Sequence, residues 1–169
     1  MLSSEVFAKV GGYCTDRLRQ PPEDYELWSR VARQFEVANI PEVLLVYREV
    51  HRSMSRDGVN PFIDRLVTIS AENLAWIVGQ HTSDQHCVDI AALIHGAYPR
   101  LSSRPDLKAI RSYLLEAADK VSTLYAAPKE ILRRRACHYF SFLKFRLLAV
   151  RYGALWANIV FTYDRLRRV

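Results

Sequence analysis

The chain has 169 residues, half of them apolar and a quarter charged, with a formal net charge of +6. That length supports one core-bearing domain with an appendage, and that composition excludes global disorder. Cys14, Cys87 and Cys137 are odd in number, far apart and without a CxxC. They argue against a disulfide framework or zinc site and for a reducing, cytoplasmic compartment.

Residues 1–13 lack the basic and long apolar segments of a signal peptide. The longest uncharged aromatic run, YGALWANIVFTY at 152–163, has 12 residues, short of the roughly 20 that span lipid. The charge is uneven: residues 129–169 hold ten Lys or Arg against two acids, giving +8, which leaves −2 for residues 1–128. The basic character belongs to the tail and could attract anionic lipid, a phosphorylated substrate, an acidic protein or nucleic acid.

In chain order, residues 3–10 read as a short helix with Val6, Phe7 and Val10 on one side. Gly11 and Gly12 stop it, and Tyr13 stands beside them and could line an adjacent surface; a helix stop explains the glycine pair more readily than a ligand contact. Residues 17–22 are a polar loop in which Arg17 and Arg19 either meet anionic groups or are merely solvated.

Pro21 and Pro22 cannot supply interior helical N–H bonds, but one of them fits the first turn of a second helix, where the N–H groups are unpaired anyway. Leu27, Trp28, Val31 and Phe35 give that helix an apolar stripe, and Asp24, three and four residues before Leu27 and Trp28, is expected to face the body of the protein. Glu26 and Arg30 form an i, i+4 pair expected on a solvent face. The helix dipole and free N–H groups favour a charged carboxylate in the first turn, which suits Asp24 to accept a proton. From spacing alone, Glu23 and Asp24 suit a helix start without any chemistry better than a catalytic role.

Val43–Val50 has strand character, rich in β-branched and large apolar residues. It delivers Arg48 and His51 to its end; Arg48 could pair with phosphate, and His51 could ligate a metal or donate to a leaving diphosphate, or both are surface groups. RSMSRDGVNP, 52–61, reads as a loop whose Ser53, Ser55 and Arg56 could close over a phosphate or acceptor.

The rest is helical. Ile63, Leu66, Val67, Leu74, Ile77 and Val78 mark one helix ending near Gly79, and Val88–Ile94 the heart of a second ending near Gly96. Arg100–Pro105 is a candidate linker. Leu107, Ile110, Leu114, Ala118, Val121 and Tyr125 mark a third helix, broken over Ala126–Pro128. His81, His86 and His95 do not share a face and are poor metal ligands as a set. The final segment reads as two helices meeting near Gly153, either an arm covering the core or a basic, aromatic surface for the headgroup region of a membrane.

Three blocks, SEVFAKVGGY, PPEDYELWSRVAR and ANIPEVLLVYREVHRSMSR, stand together in residues 3–57, about a third of the chain. In order and spacing this stretch resembles the C-terminal, acceptor-side portion of the family 2 glycosyltransferases, inverting enzymes with a nucleotide-sugar-binding GT-A fold. The resemblance implies that Asp24 is the general base, Glu23 its neighbour, and Arg48 and His51 neighbours of the nucleotide diphosphate or its metal. It also implies a nucleotide-sugar donor, a carbohydrate or lipid-linked acceptor, and Mg2+ or Mn2+ only with a complete donor site. In one departure from the family pattern, Cys14 and Thr15 separate the GGY run from its next acid, Asp16.

The donor-binding strands and DxD motif of such enzymes precede the ED helix, and here Glu5, Asp16 and Glu23 form no DxD. The expectation is therefore a mainly α chain with a small β element: a partial GT-A-like region over 1–58, a helical region over 59–128 and a basic, aromatic-rich tail over 129–169. Its uncovered face would be closed by self-association or a partner chain. The alternative is a noncatalytic interaction or membrane-surface module, cytoplasmic and peripheral at the inner face of the membrane; nucleic acid is disfavoured because no zinc finger or RNA-binding sheet motif is present.

Overall fold

The computed structural model describes residues 3–17, 19–46 and 62–166, the last six as backbone alone. Among these residues there are seven α-helices: α1 (Ser4–Val10), α2 (Glu23–Ala32), α3 (Ile63–Val78), α4 (Gln85–His95), α5 (Leu107–Leu124), α6 (Lys129–Tyr152) and α7 (Ala154–Leu166). A short 3-10 turn, Tyr98–Arg100, follows α4. The chain divides into two compact units, Met1–Ile69 and Ser70–Val169.

In the first unit α1 and α2 share a small core of Val6, Leu27 and Val31, with Val10 and Phe35 packed against it. α2 begins directly after the paired prolines, as anticipated, but with Pro22 at its N-cap rather than in its first turn. Gly11 ends α1 with φ of +75° and returns its N–H to the Phe7 carbonyl, a left-handed backbone that a side chain would strain.

No strand occurs among the described residues. Val43–Val46, the described half of the expected strand, is irregular and exposed, Val46 being 95% accessible. A strand needs a neighbour to take its N–H and C=O groups, and in this unit the described regular elements are helices. Residues 47–50 lie outside the described residues.

In the second unit, Ile90, Leu93, Ile110, Leu143 and Leu147 form the core, with Leu74, Leu114 and Phe140 among the side chains packed on it. The helix ends follow local chemistry. Asp84 caps α4 by accepting from the Cys87 N–H at 3.0 Å, and Asp106 caps α5 by accepting from Lys108 and Ala109. Lys120 donates to the Val78 carbonyl at 2.8 Å and so caps the end of α3.

The segment expected as a linker is pinned instead. The backbone N–H and hydroxyl of Ser102 both donate to the buried Asp89 carboxylate, at 2.8 and 2.7 Å, and Gln85 supplies a third bond at 3.0 Å. Pro105 is buried as well. A polar group this deep is accommodated because both of its oxygens accept hydrogen bonds.

Candidate functional site

The sequence places its densest chemistry in the first unit, and α2 is the element that carries it. Glu23 and Asp24 occupy the first turn of α2 and are both exposed. Asp24 Oδ1 accepts the Tyr25 N–H at 2.7 Å, one of the amide groups that the helix itself leaves unpaired. Trp28 is also exposed. Asp24 and Trp28 share a face as the spacing requires, but that face looks outward, because Leu27 and Val31, one residue further round the helix, take the core. This corrects the expectation that Asp24 faces the body of the protein.

A second correction concerns Glu26. It is buried, at 6% accessibility, and its two carboxylate oxygens accept from Arg30 Nε and Nη2, each at 2.8 Å. The remaining guanidinium donors reach back to α1: Nη1 donates to the Val10 carbonyl, and Nη2 also donates to the Gly12 carbonyl at 2.7 Å. The pair is therefore a clamp between helices. Carbonyls at the end of α1 have no partner within their own helix, and the planar fork of an arginine can meet a carboxylate and two such oxygens together. The unmatched carbonyls at a glycine pair were the signal in the sequence for this role.

The clamp fixes the Gly11–Gly12 turn beside the last turn of α2. Arg30 stands six residues after Asp24, roughly 9 Å along the helix axis. Tyr13 is exposed, as is Arg17. Arg19 pairs with Asp16 at 3.3 Å. A cleft of about 310 Å³ opens between α1, α2 and residues 36–38, with Val6, Trp28, Val31 and Phe35 among its walls. Arg48, His51, Ser53, Ser55 and Arg56 lie outside the described residues. Among the described residues, no three His, Cys, Asp or Glu side chains group to hold a metal.

In the second unit, Ser70 Oγ and His95 Nε2 lie 2.8 Å apart. Burial, and then the charge of Arg146, hold His95 below the usual histidine value of 6.5. Cys87 is buried, and its thiol is pushed up to about 12 by burial first and then by the charge and hydrogen bond of Asp84. A thiol held this way is not a nucleophile near neutral pH.

No protein-family model, no curated protein and no solved structure matches the chain.

Proposed function

We propose that residues 3–57 are the acceptor-side portion of an inverting family 2-type glycosyltransferase, with Asp24 as general base and Glu23 beside it. The observation that carries this reading is the Arg30 clamp: a residue of the PPEDYELWSRVAR block holds carbonyls of the SEVFAKVGGY block, so two blocks that carry the resemblance act as one framework. Asp24 is open to a substrate on that framework, with one oxygen held by the Tyr25 N–H. Proton abstraction requires such a reachable and oriented carboxylate.

In the reaction, the acceptor hydroxyl passes its proton to Asp24 and its oxygen attacks the anomeric carbon of a nucleotide-sugar. The bond to the diphosphate breaks, the nucleoside diphosphate leaves with the electron pair, and the configuration inverts. Mg2+ or Mn2+, when bound with a complete donor site, supplies charge neutralisation of the diphosphate. The role of Arg48 and His51 near that diphosphate rests on the resemblance. The exposed Trp28, Val37, Ile40 and Val43–Val46 are the apolar surface that a donor-binding half would cover.

A noncatalytic protein-interaction module is the second reading, favoured by the same exposed apolar run. NMR titration of the full chain with saccharide acceptors separates the two. The glycosyltransferase reading expects shifts at Tyr13, Asp24 and Trp28 that Asp24→Asn weakens. In the chain complemented with a donor-binding half, the same substitution should lower kcat by about 10²- to 10⁴-fold. Acceptors that leave the first unit unshifted would overturn it.

A further inference from the structure

The second unit ends in α6 and α7, whose exposed side chains are of two kinds. The first kind is apolar and aromatic. Leu155 is 80% and Trp156 57% accessible, with Tyr152 and Ile159 similarly open. Leu155, Trp156 and Ile159 fall within one arc of α7, because Ile159 stands four residues after Leu155 and three after Trp156, and residues three and four apart are neighbours on a helix. On the other side of that helix Ala157 is fully buried. The Tyr152 and Trp156 rings lie 5.8 Å apart. On α6, Tyr139 stacks on Phe142 at 6.0 Å, and both rings are exposed together with Ile131.

The second kind is cationic. Arg134 and Arg135 are exposed on α6 beside Tyr139 and His138, around a hollow of about 640 Å³. The neighbouring basic residues have structural duties: Arg133 pairs with Asp119 at 2.6 Å, Arg146 donates to the Ile94 carbonyl, and Arg151 donates to the Ser103 carbonyl. No ion pair or hydrogen bond holds Arg134 or Arg135 among the described residues. Glu130 and Asp164 are the only acids in residues 129–169.

We propose that α6 and α7 seat the protein on an anionic lipid surface, with Leu155, Trp156 and Ile159 entering the headgroup region and Arg134 and Arg135 meeting lipid phosphates and carboxylates. Charge complementarity selects this occupant. A second copy seated on this surface would set Arg134 and Arg135 against the same two residues of its partner, whereas an anionic bilayer neutralises them. Tyr and Trp have amphipathic rings that suit the boundary between headgroups and acyl chains. No helix among the described residues is long and apolar enough to cross a membrane, so the contact is of a helix lying on the surface.

Vesicle flotation with the full chain tests this, comparing phosphatidylcholine vesicles with phosphatidylcholine–phosphatidylserine vesicles. Binding is expected to the anionic vesicles and to fall with added salt, since screening lengths drop to about 8 Å at physiological ionic strength. Arg134→Gln with Arg135→Gln should weaken partitioning about 30-fold, each basic residue near such a surface being worth roughly fivefold. Trp156→Ser should weaken it about tenfold. Both variants change exposed side chains, and unchanged circular dichroism establishes that they fold. Trp28 and Trp76 are also exposed, so the blue shift of fluorescence on anionic vesicles must vanish in Trp156→Phe. Absence of vesicle binding, or binding indifferent to both variants, overturns the proposal. Self-association in sedimentation that Trp156→Ser abolishes, without lipid binding, overturns it in favour of a second copy.

Discussion

Replacing Arg30 by alanine isolates the interaction on which the first unit depends. The substitution leaves the Glu26 carboxylate in the core without its cation and removes donors from the Val10 and Gly12 carbonyls. Breaking a buried pair on one side costs about 3–5 kcal/mol. The Arg30 side chain keeps 27% accessibility, so water partly replaces it, and the lower end of that range, about 3 kcal/mol, is expected. Among the described residues, the core that must absorb this is Val6, Leu27 and Val31 with two flanking side chains. Amide hydrogen exchange of the full chain, resolved by peptide, gives the assay. Peptides from α1 and α2 should exchange roughly 100-fold faster, the factor that about 3 kcal/mol implies, while peptides from α4 and α5 keep their protection. Adding Glu26→Gln to Arg30→Ala removes the stranded charge and should restore part of the protection. A change in α1 smaller than about threefold would show that the clamp holds nothing and would refute the reasoning.

Two predictions concern the second unit. The Cys87 thiol, raised to about 12 by burial and then Asp84, should resist a thiol-reactive dye at pH near 8, while the less buried Cys14 and Cys137 react; labelling of Cys87 at their rate in the folded protein would contradict the burial. His95 is held below 6.5 by burial and then by Arg146, so the unfolded chain takes up its proton first as pH falls. Its contribution to stability is therefore complete above about 6.5 and declines as pH drops from there toward its folded value. Denaturation midpoints across that window should show a decline that His95→Gln reduces; an identical decline in both would assign it to other groups.

The helix framework was legible because its ends are written locally. Gly79, Gly96 and Gly153 each stand just past a helix with positive φ, and Pro22 stands just before α2. Gly96 is doubly constrained: its φ is +74°, and a Cβ there would come within 2.7 Å of an Arg146 nitrogen. Periodicity was less informative about which face turns inward. It placed Asp24, Leu27 and Trp28 near one another, but a small core can cover only one edge of that arc, and it covers Leu27 and Val31. The burial of Glu26 depends on Arg30, whose other donors meet the Val10 and Gly12 carbonyls, twenty and eighteen residues before Arg30, which no pattern within α2 contains. Val43–Val46 illustrates the converse: its composition suits a strand, but composition supplies no partner for its backbone.

The basic residues show most clearly what a net charge conceals. Arg30, Lys120 and Arg146 each cap a carbonyl at the end of an earlier helix: Val10 of α1, Val78 of α3 and Ile94 of α4. There a cation offsets the negative end of the helix dipole and fills a vacancy that the helix itself creates. Arg146 also donates to the Tyr98 hydroxyl through Nε and Nη2, at 3.2 and 3.1 Å. Neutralising it would leave a carbonyl and a phenol unmatched, so weaker lipid binding by such a variant would report loss of structure. Arg134 and Arg135 have no such duty in the described structure, and their removal changes the field at the surface without disturbing a cap. The positive charge of the tail thus separates into a part that holds helices together and a part that faces outward, and only the second can select an anionic surface.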